Sequence, residues 1–135
     1  MPKKTQDTLK KNISGTKQAT TGYLPDVYKD FVLSYPDVSQ AIDIVAQKCH
    51  EAGPLDKKTG ELIKLGMAIG INSEGAIRSH ARRAIREGIS TDEIRHVVLL
   101  AFTTCGFPHT IAAFKWVEEV LDKADYKLEK ENDKS

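Results

Sequence analysis

The stretch Glu61–His80, ELIKLGMAIGINSEGAIRSH, determines how the rest of the chain is arranged. Its first half is almost wholly apolar, and Lys64 is the only charged residue between positions 62 and 71. A short polar break, Asn72 to Gly75, then leads into a second amphipathic segment that carries His80. This pattern predicts an antiparallel helix hairpin whose first helix is the buried centre of a domain.

Three small residues lie in the first helix of this hairpin: Gly66, Ala68 and Gly70. Each glycine lowers helix propensity by about 1 kcal/mol relative to alanine. Two such residues in one helix therefore predict that neighbouring helices approach it closely.

Helical periodicity continues on both sides of the hairpin. Helix starts are predicted near Leu24, Pro36, Asp56, Glu74, Ser90 and Pro108. Asp56 is the expected N-cap of the central helix, and Ser90 with Glu93 forms an S-x-x-E capping box. Period-two alternation bounded by turn signals is absent, so the sequence predicts an all-α fold of about six helices around the hairpin.

Composition divides the chain into three parts. Residues 1–22 are rich in lysine and threonine, which predicts a flexible basic arm. Residues 23–124 form the predicted helical domain, and residues 125–135 a charged tail that frays.

Bulk properties exclude several classes of protein. The chain has 135 residues, a length typical of one domain, and a formal net charge of +1, which gives no reason to expect a nucleic-acid partner. Its longest apolar runs are shorter than the roughly 20 residues that span a bilayer. The N-terminus has no secretory h-region, so we expect a cytoplasmic protein that binds no membrane.

Two cysteines, Cys49 and Cys105, lie far apart in the sequence and form no C-x-x-C pair. In a cytoplasmic protein both are expected to be reduced. Cys49 ends an apolar stripe on the predicted second helix, and Cys105 lies in another apolar run. Both are therefore expected to be small buried side chains.

His80, Glu61 and Glu74 are the candidate catalytic residues. His80 shares a helix face with Ile77, Ala81 and Ala84, so its ring lies either in a core or in a pocket of the core. A carboxylate such as Glu61 can orient the ring, although a tilted helix crossing is required to bring the two together. Glu74 is either a first-turn partner of the helix dipole or a member of the same pocket.

Arg78, Arg82 and Ser73 are the candidate substrate-binding residues. The arginines repeat with Arg86 at four-residue intervals, which is typical of a solvated helix face but also suits a clamp for a carboxylate or phosphate. The sequence contains no phosphate loop, G-x-S-x-G, H-E-x-x-H or closely spaced His/Cys set. We therefore predict no metal and no cofactor.

Three features of the chain resemble the carboxymuconolactone decarboxylase family, which also contains the AhpD-like alkylhydroperoxidases. Glu61 heads an apolar helix, and Ser79-His80-Ala81-Arg82-Arg83-Ala84 is followed by E-G-I-S-T-D-E-I. The last helix begins after a G-x-P break and carries Ala113-Phe114 and Glu118. The resemblance covers about Leu24 to Leu121 and implies the AhpD-like helical fold.

The resemblance also separates two branches of the family. AhpD-like members carry a redox C-x-x-C pair before the histidine, and the matching positions here are Ser73 and Ala76. Neither side chain can form a disulfide. The chain is more similar to the decarboxylase branch, which implies a cofactor-independent lyase acting on a small carboxylated lactone or related acid.

Two alternatives remain open beside the lyase. One is an alkylhydroperoxidase-related antioxidant protein with a degenerate redox motif, and the other is a non-catalytic ligand-binding relative. The resemblance further implies self-association as a trimer or hexamer.

Overall fold

The computed structural model describes residues 26–134, and for residues 126–129 it describes the backbone only. These described residues form six α-helices: α1 (Asp26–Ser34), α2 (Pro36–Glu51), α3 (Lys57–Gly70), α4 (Glu74–Arg86), α5 (Thr91–Leu100) and α6 (Phe107–Asn132). A 3₁₀ turn, Ala101–Thr103, follows α5, and no strand occurs in the described part of the chain. The all-α prediction is confirmed. The predicted arm 1–22 and the predicted helix start near Leu24 lie outside the described residues.

The chain divides after Pro54 into two compact units. In the first unit, α1 packs against α2. Pro36 is the first residue of α2, where its missing N–H leaves no hydrogen bond unmade. The division does not test the predicted domain boundaries at residues 23 and 124.

The apolar stripe of α2 is exposed, and the expectation that Cys49 is a small buried side chain is wrong. Val38, Ile42 and Val45 each leave half or more of their surface open, and Cys49 is exposed. Periodicity identifies which residues share a helix face, but it does not say whether another element covers that face. Cys105, in the second unit, is half-buried as part of the surroundings of the core.

The second unit is built around the predicted hairpin, because α3 packs most extensively against α4, and α4 against α6. The core consists of aliphatic and small side chains from all four helices of this unit. Its largest fully buried members are Leu65, Ile69, Ile77, Ile94, Val98, Val117 and Leu121. This cluster fixes the relative positions of α3 and α4, on which the candidate site depends.

The turn of the hairpin lies where the sequence predicted it. α3 ends at Gly70, Asn72 adopts a left-handed φ of 55°, and α4 begins at Glu74, the predicted helix start. Ser73 is the N-cap, and its Oγ accepts a hydrogen bond from the Ala76 N–H at 3.4 Å. Asparagine is among the few non-glycine residues that tolerate the left-handed conformation, so Asn72 permits this tight connection.

The expectation that Gly66 and Gly70 permit close helix packing is wrong within the single chain. A Cβ atom at Gly66 would lie 3.8 Å from Cγ1 of Val97, which is an ordinary van der Waals contact. A Cβ atom at Gly70 would meet no atom of the described residues within 4 Å. Of the three small residues, Ala68 is the one buried in the core, with 3% of its surface exposed.

The last helix is longer than predicted. α6 continues to Asn132, whereas the sequence predicted a fraying tail from residue 125. The added segment contains the run Lys127-Leu128-Glu129-Lys130-Glu131, and lysine, leucine and glutamate are all strong helix formers.

Candidate active site

The centre of the site is a buried carboxylate bonded to an imidazole. Glu61 lies in the second turn of α3 with 3% of its side chain exposed, and His80 lies in the middle of α4 with 18% exposed. The His80 Nδ1 to Glu61 Oε2 distance is 3.1 Å. The helices α3 and α4 thus bring together the two residues that the sequence predicted as a pair, despite their offset in an ideal hairpin.

The surroundings of Glu61 keep its carboxylate ionised. Burial by itself raises the pKa of Glu61, because the charged form loses water. The hydrogen bond from His80 and the positive charges of His80, Lys64 and Arg83 act in the opposite direction and outweigh burial. The pKa of Glu61 therefore lies below 4.5, the ordinary value of a glutamate.

An ionised Glu61 determines the tautomer of His80. A carboxylate can only accept a hydrogen bond, so Nδ1 of His80 carries the proton and donates it to Oε2. Nε2 has no hydrogen-bond partner among residues 26–134. The partly exposed ring therefore presents Nε2 as the nitrogen that can exchange a proton with a ligand.

Glu74, the third predicted catalytic residue, is bonded to Arg78, and its part in catalysis remains a prediction. Its side chain is 54% exposed and accepts hydrogen bonds from Nε and Nη2 of Arg78 at 3.3 and 3.1 Å. Arg78 also bonds Glu119 of α6, which lies 41 residues away in the sequence. Arg78 thus connects α4 to α6 through the Glu119 carboxylate, while its proposed part in substrate binding remains a prediction.

Arg82 and Ser73 also remain predictions as substrate-binding residues. Arg82 is half-buried on α4, two positions after His80, and residues two apart do not share a helix face. Ser73 is occupied as the N-cap of α4, through the bond to Ala76 described above.

Arg83 and Lys64 belong to the surroundings of Glu61 and were not among the predicted site residues. Each lies three positions after a member of the central pair, Lys64 after Glu61 and Arg83 after His80. An i, i+3 relation places side chains on one side of a helix. This spacing is the sequence signal that identifies both residues once the Glu61–His80 contact is assumed.

The first unit has an open cleft of about 450 Å³, which does not contain the predicted site residues. Its lining consists of Asp37, Val38, Ala41, Ile42 and Val45. Within residues 26–134, no group of three His, Cys, Asp or Glu side chains is arranged to hold a metal ion. No helix in that range is long and apolar enough to cross a membrane.

Comparisons with known proteins agree with this architecture. A protein of the carboxymuconolactone decarboxylase family from Legionella pneumophila, crystallised in its apo form, superposes with a TM-score of 0.59. The match covers 87% of this chain and 96% of that protein at 21% sequence identity. At this identity the similarity establishes the shared helical fold.

Two enzymes are similar in sequence. Nitrosuccinic acid decarboxylase from Metarhizium robertsii is 38% identical over 77 residues, which cover 54% of this chain and 54% of that enzyme. For 4-carboxymuconolactone decarboxylase from Acinetobacter baylyi the identity is 27% over 78 residues, covering 58% of each chain. The chain thus matches little more than half the length of either enzyme.

The family assignment rests on the larger part of the sequence. Residues 36–119 match the carboxymuconolactone decarboxylase family, and this range contains Glu61, His80 and the hairpin that joins them. The chain belongs to the carboxymuconolactone decarboxylase family.

Proposed function

We propose that this protein is a cofactor-independent decarboxylase that acts on a small carboxylated lactone or a related acid. The observation that carries the proposal is the 3.1 Å contact between buried Glu61 and partly exposed His80, in a chain of this family. The contact leaves Nε2 of His80 available, and the positive charges of Lys64 and Arg83 act on the neighbouring Glu61 carboxylate. These are groups that bind an anionic acid and transfer a proton.

The proposed reaction needs one proton and no change of oxidation state. The bond between the substrate carbon and its carboxylate breaks, CO₂ leaves, and the electron pair stays on the substrate carbon. Protonated His80 donates its Nε2 proton to that carbon and recovers a proton from water. Glu61 holds the ring through Nδ1 and stabilises the imidazolium from which the proton is given.

The similar enzymes suggest what kind of acid suits this chemistry. In nitrosuccinic acid, one carboxyl group is attached to the carbon that bears the nitro group. The nitro group accepts the electron pair that remains on this carbon when CO₂ leaves. An unsaturated lactone can delocalise an electron pair in the same way. We therefore propose substrates in which an electron-accepting group is conjugated with the carbon that loses CO₂.

The peroxidase alternative has less support. A dithiol cycle requires two sulfur atoms in the helix turn before the histidine, and Ser73 and Ala76 occupy those positions. A ligand-binding protein without catalysis remains the second candidate, because the Glu61–His80 pair also suits recognition of an anion. The decarboxylase and the ligand-binding protein differ in whether His80 transfers a proton to the bound molecule.

The direct test is CO₂ release from nitrosuccinic acid and from 4-carboxymuconolactone. The wild-type protein is expected to accelerate release from at least one acid, and His80→Gln to lower turnover by about 10²–10⁴, as expected for lost acid–base catalysis. His96→Gln is the matched control, because His96 is an exposed histidine of α5 outside the site. Release no faster than in buffer for both acids, or equal rates for wild type and His80→Gln, contradicts the proposal.

We also propose that the chain self-associates as a trimer or hexamer. Large apolar side chains of the second unit are open to solvent, including Leu100 at 58% and Phe107 at 66% exposure. Large exposed apolar surfaces on a small domain are typical of interaction sites.

A further inference from the structure

Arg83 differs from Arg78 and Arg95 of the second unit, because both of those arginines bond a carboxylate. Arg78 is bonded to Glu74 and Glu119, and Nε of Arg95 donates to Oε1 of Glu118 at 2.7 Å. The Arg83 guanidinium makes no hydrogen bond and no ion pair within 4 Å in the described range 26–134. Its charge is therefore not neutralised by direct contact with a carboxylate of that range.

The position of Arg83 relates it to the proposed reaction. It lies three residues after His80 on α4, so the two side chains lie on the same side of the helix. It is half-buried, and its charge is among those that lower the pKa of the buried Glu61 carboxylate. By contrast, Arg78 and Arg82 lie two positions from His80 and are directed away from its side of the helix.

We propose that Arg83 binds a second carboxylate of the substrate, so that the protein selects dicarboxylic acids. This inference rests on the proposed decarboxylase function: His80 acts where the first carboxylate leaves, and Arg83 holds the one that stays. A guanidinium presents paired N–H donors that match a carboxylate in a bidentate arrangement. Nitrosuccinic acid, the compound that names the similar fungal enzyme, is itself a dicarboxylic acid.

A purely structural role for Arg83 has a different signature. If the guanidinium served only as a counter-charge for Glu61, its replacement would lower stability and leave the choice between ligands unchanged. The proposed role requires the choice between ligands to change. Binding of two matched probes, measured without catalysis, therefore separates the two roles.

The probes are succinate and its monoamide, succinamate, which have nearly the same shape but differ by one negative charge. Neither carries an electron-accepting group that promotes loss of CO₂, so calorimetric titration reports binding alone. Wild-type protein is expected to bind succinate about ten- to a hundred-fold more tightly than succinamate, as typical for a charge-assisted contact. Arg83→Gln is expected to abolish this preference.

Two further variants complete the experiment. Arg83→Lys keeps the charge but loses the bidentate geometry, so it should retain an intermediate preference. It also provides the measurement if Arg83→Gln does not fold, as judged by circular dichroism. Arg86→Gln removes an exposed arginine three positions further along α4 and should keep the full preference.

The inference is overturned if wild type does not distinguish the probes, if neither probe binds, or if Arg83→Gln keeps the wild-type preference. If Arg83→Gln loses the preference for succinate and the wild type releases no CO₂, the dicarboxylate subsite is supported and the decarboxylase proposal is contradicted. If the wild type releases CO₂ but does not prefer succinate to succinamate, only the proposed role of Arg83 is contradicted.

Discussion

At the residue scale, the site depends on a carboxylate that is buried and yet ionised. Removing Glu61 from water disfavours its charge, and the hydrogen bond from His80 with the nearby positive charges restores it. The same bond orients the imidazole and fixes the proton on Nδ1. One contact therefore stabilises the charge of Glu61 and prepares His80 for proton transfer at Nε2.

This arrangement predicts a loss of stability in acid. The pKa of Glu61 in the folded protein lies below the unfolded value, so its ionisation stabilises the fold above pH 4.5. That contribution is lost as the pH falls through the folded-state pKa. Over this range Glu61 adds at most about 1.4 kcal/mol per pH unit to the slope of unfolding free energy.

Urea denaturation at a series of acidic pH values measures that slope. Glu61→Gln should show a shallower fall than wild type, because glutamine has no proton to bind. Glu131→Gln, which replaces an exposed glutamate of α6, should follow the wild-type curve. Parallel curves for wild type and Glu61→Gln would show that the carboxylate has the same pKa in the folded and unfolded states.

Only part of the site could be read from the sequence. Glu61 and His80 were identified by their places on an apolar helix and an amphipathic one, and their contact is present. Arg78 was expected to bind substrate, and no local pattern indicated Glu119, a partner 41 residues away. Arg83 was not predicted, because its effect on Glu61 depends on the contact between α3 and α4, which joins residues distant in the sequence.

At the element scale, helix starts were predicted well because capping depends on neighbouring residues. Asp56 accepts from the Thr59 N–H at 2.7 Å, and Ser90 and Glu93 form both bonds of the predicted capping box. Helix α6 was predicted too short, because no stop signal follows Leu121 and its charged residues are compatible with a helix. The apolar stripe of α2 is exposed, and its exposure depends on packing that periodicity does not specify.

Glycine substitutions test this account of the helices. Gly88 ends α4 with a φ of +77°, a conformation that costs an alanine roughly 1–2 kcal/mol. Gly66 lies inside α3, where an added Cβ would make an ordinary contact. Thermal denaturation should therefore show Gly88→Ala destabilised, and Gly66→Ala stabilised by about 0.5–1 kcal/mol. A destabilised Gly66→Ala would mean that another surface packs closely on this part of α3.

At the scale of the whole molecule, the aliphatic core of the second unit coexists with large apolar side chains left in water. The sequence predicted an all-α fold, and the family relationship agrees with it. Which apolar faces are covered within one chain was not predictable, because it depends on contacts between segments distant in the sequence. The predicted trimer or hexamer would account for the faces that remain open.

Light scattering after size-exclusion chromatography tests this expectation at micromolar concentration. The predicted mass is that of three or six chains of 15.0 kDa. Phe107→Glu places a charge on an exposed apolar position and is expected to shift the protein toward smaller species. His96→Glu, at an exposed polar position of α5, should keep the wild-type mass. A wild-type protein that elutes as a clean monomer would contradict self-association.

The central claim is that Glu61 and His80 act as one acid–base unit, and a double-mutant cycle on turnover tests it most directly. His80→Gln is expected to lower turnover by about 10²–10⁴ with little change in melting temperature, and Glu61→Gln to act in the same direction. The double variant should lose much less than the product of the two single losses, because each change disables the same unit. Losses that multiply, or turnover that survives His80→Gln, would contradict the account.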